Sequence, residues 1–169
     1  MEKTMNRDFA LTSRTEIASV QRAAFAEVED DFKRICDCEL VAPILEAMGA
    51  PAALLNENRQ VVFANTAMCE LGGVVEREEI LGLRLGEVLG CDLALNRMGG
   101  CGTYRECRSC GAINAVLASL DGRTVTNSVS VEVNRAGMER TTQFKIAATP
   151  VPQEEHDYVL VVFSELSVR

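Results

Sequence analysis

Between Ser13 and Ile35 the apolar residues Ile17, Val20, Ala24, Val28, Phe32 and Ile35 recur every three or four positions, which lays them along one stripe of an α-helix. Ser13 followed by Glu16 fits a capping box, in which hydroxyl and carboxylate each accept a backbone N–H at the helix start. The spacing predicts an amphipathic N-terminal helix within a helical extension over residues 1–38. Its stripe either packs on its own domain or forms a homodimer face through Ile17, Val20, Val28 and Phe32. A second short helix over Leu40–Met48 is stopped by Gly49 and barred from continuing by Pro51.

The period then changes. Ala52–Leu55 and Gln60–Ala64 read as two short strands joined by the polar turn Asn56–Arg59. From Asn65 to Gly90, glycines at 72, 73, 82 and 86 interrupt any long helix and leave short capped pieces. Ile113, Val116, Leu117 and Leu120 restore helical spacing over Ala112–Leu120, and Asp121-Gly122 ends it. Three β-rich runs follow, Thr124–Asn134, Glu139–Val151 and Tyr158–Val168, connected by Arg135-Ala136-Gly137 and by Pro152–Asp157. Two strands, several short helices and three strands predict an α+β domain over residues 39–169, built on a five-stranded antiparallel sheet with short helices on one face.

Length and composition fit one folded unit, since 169 residues with 47% hydrophobic content can bury a core. A net charge of -8 would repel a phosphate backbone, which argues against nucleic-acid partners. No apolar run is long enough for a signal peptide core or a membrane span, so a cytoplasmic protein with no membrane partner is expected. Seven cysteines in such a compartment, where thiols stay reduced, point to metal or redox chemistry rather than to disulfides.

The order of elements resembles the PAS family. The resemblance rests on the hairpin from Ala52-Ala53-Leu54-Leu55-Asn56 to Val61-Val62-Phe63-Ala64-Asn65, on the acidic turn Glu78-Glu79-Ile80-Leu81-Gly82, and on the final strand Val159-Leu160-Val161-Val162-Phe163, and it covers roughly residues 40–168. It implies a sensory or regulatory domain rather than an enzyme. No output segment follows Val168, so the signal is expected to pass to a protein partner or through self-association.

Within that order, Cys91, Cys101, Cys107 and Cys110 fall in one loop, residues 90–111, separated by nine, five and two residues. Cys107 and Cys110 can present two sulfurs from a single turn, and the looser pair can fold back to complete a set of four thiolates. Gly90, Gly99, Gly100, Gly102 and Gly111 allow sharp turns beside the sulfurs, and Arg105 and Arg108 are expected to add positive charge there and lower the thiol pKa values. Four thiolates suit an iron–sulfur cluster or zinc. One tight pair with all four ligands in one loop is nearer the local runs of cluster proteins, with zinc, a metal-free thiol switch and unrelated free cysteines as alternatives. The PAS order combined with a Gly-Cys-Gly run is similar to cysteine-rich PAS domains of signalling proteins, which implies a cluster-dependent response to redox state, oxygen or nitric oxide. A zinc-stabilised interaction module and a small thiol or electron-transfer protein are the other readings.

The remaining candidates read as structure. Cys69 is expected to be core, and Cys36 and Cys38 form only a weak Cys-x-Cys pair at a helix end. His156, the one histidine, lies in a connection, which leaves neither a haem ligand nor a base for a cysteine nucleophile. Cys110 is followed by Gly111 rather than histidine, no phosphate-binding loop is present, and Glu76, Glu78 and Glu79 suit a solvated helix start.

Overall fold

A computed structural model describes residues 17–135 and 138–165. The chain runs through α1 (Phe25–Asp37), α2 (Val41–Ala47), β1 (Ala52–Leu55), β2 (Val61–Ala64), α3 (Thr66–Gly72), a 3-10 turn (Arg77–Ile80), α4 (Leu85–Val88), α5 (Asp92–Leu95), a second 3-10 turn (Arg105–Ser109), α6 (Gly111–Leu120), β3 (Val125–Arg135), β4 (Met138–Val151) and β5 (Tyr158–Glu165). The strands form one sheet in the order β2-β1-β5-β4-β3, and every neighbouring pair is antiparallel. This is the fold class that the hydrophobic pattern predicts.

Alternation along the strands divides the core between the two faces. Ala53, Leu55, Val61, Val129, Val131, Phe144, Ile146, Val159, Val161 and Phe163 point inward beneath Met68 and Cys69 of α3, Leu85 and Val88 of α4, and Ala115 and Val116 of α6. Their register places Ala64, Ala53, Val161, Ala148 and Val125 in one row across all five strands. Small side chains in that row let the short helices approach the sheet closely. On the opposite face, Val28 and Ile35 of α1 and Leu45 of α2 pack on Leu54, Val62 and Tyr158.

Asn65 fastens the two ends of the hairpin to its neighbours. Its side-chain oxygen accepts from the N–H groups of Ala52 and Met68, both at 2.9 Å, so it caps α3 and holds the start of β1. Its amide nitrogen donates to the carbonyls of Leu45 and Ala50. These bonds join main-chain groups of α2, β1 and α3 through one side chain.

The N-terminal helix differs from the predicted one. It begins at Phe25, where the Glu27 carboxylate accepts from the Ala24 N–H, and Ser13 and Glu16 lie outside the described residues. Residues 17–24 run as a non-helical strap because other groups claim its backbone. Arg59 and Arg84 bond the Ser19 carbonyl, Arg84 bonds that of Gln21, and the Gln60 side chain both accepts from the Ala23 N–H and donates to its carbonyl. Of the apolar stripe, Val28 and Ile35 are buried in their own domain and Phe32 stacks on Phe63 with ring centroids 6.2 Å apart. The predicted Arg135-Ala136-Gly137 connection and the end of the last strand, up to Val168, fall partly or wholly outside the described residues.

Candidate functional site

The inner face of the sheet carries the cysteine loop at its β3 side. Cys91 precedes α5, Cys110 precedes α6, and Cys107 sits in the second 3-10 turn, so short elements fix the direction of each Cα–Cβ bond. The Cys91 N–H donates to the Gly86 carbonyl at 2.7 Å, the Cys110 N–H donates to the Cys107 carbonyl at 3.0 Å, and the Cys101 N–H reaches a Glu87 carboxylate oxygen at 3.4 Å. The four cysteines line one cavity of about 290 Å³, together with Leu85, Gly86, Ile113 and Val131 among others.

Two glycines let the loop close on the sheet. A Cβ at Gly86 would sit 2.9 Å from the Cys101 sulfur, so α4 meets that thiol with its bare backbone. A Cβ at Gly111 would overlap the Ser128 carbonyl oxygen, and the Asn127 side chain donates to the Gly111 carbonyl at 3.1 Å. This close approach presses the start of α6, and with it Cys110, against β3.

The thiols differ in setting. Cys107 is buried against Ala18 and Ile113, while Cys91, Cys101 and Cys110 are half-buried. Burial pushes the Cys101 thiol up to about 12; a Gly86 backbone hydrogen bond opposes this, and the nearby Cys110, Cys107 and Cys91 add to it. At neutral pH Cys101 therefore carries its proton, which any metal held there would have to displace. At Cys101 the direction is opposite to the expected lowering of thiol pKa values. Arg105 and Arg108 are exposed and do not line the cavity.

The buried cations near Cys101 come instead from Arg59 and Arg84, which share a small cleft with it, lined also by Leu55, Ala112 and Ile113. Arg84 is almost wholly enclosed and is drawn down to about 10 by burial, with the charges of Arg59 and Arg22 adding to the shift and Glu87 opposing it. Its guanidinium donates to the carbonyls of Asn58, Gly99, Ser19 and Gln21. Sequence reasoning missed both arginines. Leu83-Arg84-Leu85, a cation between two leucines in an apolar stretch, was the available signal.

Cys69 is core, as expected, and Cys36 and Cys38 are exposed near the end of α1, away from the cavity. His156 is exposed in the connection before β5, its ring stacked on Tyr158. Among the described residues, no group of three or more histidine, cysteine, aspartate or glutamate side chains is arranged to hold a single metal ion. The four thiols share the lining of the cavity.

No protein-family model matches the sequence, and no curated protein matches it. Solved structures do match the fold. A PAS domain from a two-component sensor histidine kinase aligns over 78% of this chain and 97% of its own, at 14% identity and a TM-score of 0.50. The PAS domain of nitrogen regulation protein NR(II) from Vibrio parahaemolyticus aligns over 76% and 99%, at 18% identity and 0.50. A PAS domain from Colwellia psychrerythraea aligns over 76% and 95%, at 11% identity and 0.52. The fold is the PAS fold. Among the described residues no helix is long and apolar enough to cross a membrane.

Proposed function

We propose that this chain is a cytoplasmic sensory module whose Cys91, Cys101, Cys107 and Cys110 hold an iron–sulfur cluster, and that it regulates rather than catalyses. One observation carries the reading: all four loop cysteines line the same cavity of about 290 Å³ on the helical side of the sheet. The cluster would supply a centre that gains or loses an electron and is damaged by oxygen or nitric oxide. The protein's own groups would turn that change into motion. Cys110 stands at the start of α6, and Cys107 packs against Ala18 of the strap, so any shift of these sulfurs pulls on both elements. The strap leads directly into α1, which offers a route to a second copy of the chain or to a signalling partner. Zinc in the same thiols is the competing occupant.

The test is the protein's colour and metal content after anaerobic purification. Broad visible absorption, with iron and inorganic sulfide in the protein, supports the reading. Colourless protein with one zinc per chain replaces it with a zinc-stabilised module.

A further inference from the structure

Arg59 holds a position that its own hydrogen bonds do not explain. It is the one non-glycine residue with positive φ among the described residues, at 65°, a left-handed conformation that disfavours a long side chain. The turn is fixed there by the Arg59 N–H on the Asn56 carbonyl at 2.8 Å and by the Asn56 side chain accepting from the Gln60 N–H. The residue is only 6% exposed, and its side chain turns beneath the cysteine loop. One Nη donates to the Ser19 carbonyl at 2.6 Å. The Nε has no hydrogen-bond partner among the described residues. It lies beside Gly102, where a Cβ would stand 3.7 Å from it, and the guanidinium shares its small cleft with Cys101.

A buried donor left without an acceptor costs about 1–3 kcal/mol, more for a charged group, so an orphan of this kind calls for a partner that arrives later. We infer that Arg59 is a positioning residue of the cysteine site: its Nε–H meets the negative charge that appears at Cys101 or on the group bound there, while its Nη holds the strap at Ser19. The inference rests on the iron–sulfur reading. Adding one electron to a thiolate-ligated core makes it more negative, and a fixed buried cation nearby favours that reduced form. Arg59 thereby couples the charge of the centre to residues 17–24.

The experiment uses the full chain, reconstituted anaerobically with ferrous iron and sulfide, as wild type, Arg59→Met and Arg59→Lys. Potentials come from titration with dithionite as the reductant, and amide exchange over residues 17–24 is measured with and without the centre. In Arg59→Met the ratio of reduced to oxidised centre at fixed poise should fall at least tenfold, about 59 mV for one electron. Arg59→Lys, which keeps the charge, should show a smaller fall. Loading should slow strap exchange at least threefold in the wild type and leave it unchanged in Arg59→Met. A Met variant that loads with wild-type potential and wild-type exchange overturns the inference while leaving the cluster reading intact. A wild type that takes up no iron overturns both. If the Met variant does not fold, Arg59→Gln makes the same comparison under the same criteria.

Discussion

Replacing Gly111 by alanine tests how the fold positions Cys110. The added Cβ would overlap the Ser128 carbonyl oxygen and stand 2.9 Å from its carbonyl carbon and 3.3 Å from the Asn127 Cβ. The obstacle is backbone, and β3 cannot withdraw, because it is paired to β4 along its whole length. The start of α6 must therefore move away by on the order of 1 Å before ordinary contact distances return. Overpacking of this kind costs about 1–3 kcal/mol, and weakening the Asn127 bond to the Gly111 carbonyl adds about 0.5–1.5 kcal/mol. The expected destabilisation is roughly 2–4 kcal/mol, read as a lower urea midpoint at constant slope. Gly49→Ala is the control. Gly49 has a positive φ of 66° but nothing within 4 Å of an added Cβ, so only backbone strain of about 1 kcal/mol is expected. The folded fraction of Gly111→Ala should also load less iron than the wild type, since Cys110 moves with α6, whereas Gly49→Ala should load normally. A Gly111→Ala protein as stable as the wild type and loading as much iron would refute the reasoning.

Three further outcomes follow from named contacts. Asn65→Ala removes the side-chain acceptor of the buried Ala52 N–H and one of the two acceptors of the Met68 N–H, and should lower unfolding free energy by about 1–3 kcal/mol, with no change in iron per folded molecule. Burial and the bond to Asp31 raise the Tyr158 phenol to about 12, so it stays neutral in the folded protein while the unfolded chain ionises near pH 10. Its contribution is complete below pH 10 and lost between pH 10 and 12, and the stability advantage of the wild type over Tyr158→Phe in urea titrations should shrink across that window. Gly86→Ala, which sets a methyl group 2.9 Å from the Cys101 sulfur, should reduce iron uptake more than it reduces thermal stability.

The sheet and its helices were legible because strand alternation, the Asn56–Arg59 turn and the Gly49 and Gly122 stops are local signals. The cysteine grouping was legible for the same reason: Cys91, Cys101, Cys107 and Cys110, which line one cavity, lie within twenty residues. The strap was not. Ile17, Val20 and Ala24 carry helical spacing, and what overrides it is long-range capture of the Ser19, Gln21 and Ala23 backbone by Arg59, Arg84 and Gln60, from positions that no periodicity links to the N-terminus. The charge around the thiols was misplaced for a related reason. Arg105 and Arg108 are near in sequence but exposed, whereas Arg59, in the hairpin turn, and Arg84, just before α4, share a cleft with Cys101 only once the chain has folded.

The central claim is that four particular thiols act as one site, and counting iron and inorganic sulfide in seven single Cys→Ser variants tests it most directly. Removing one ligand leaves an open coordination position that water and oxidants can reach. After identical anaerobic reconstitution, serine at Cys91, Cys101, Cys107 or Cys110 should abolish or severely reduce both counts, and serine at Cys36, Cys38 or Cys69 should leave them at the wild-type level. Seven variants that load alike, or iron that follows Cys36 and Cys38, would contradict the assignment and return the loop cysteines to independent thiols.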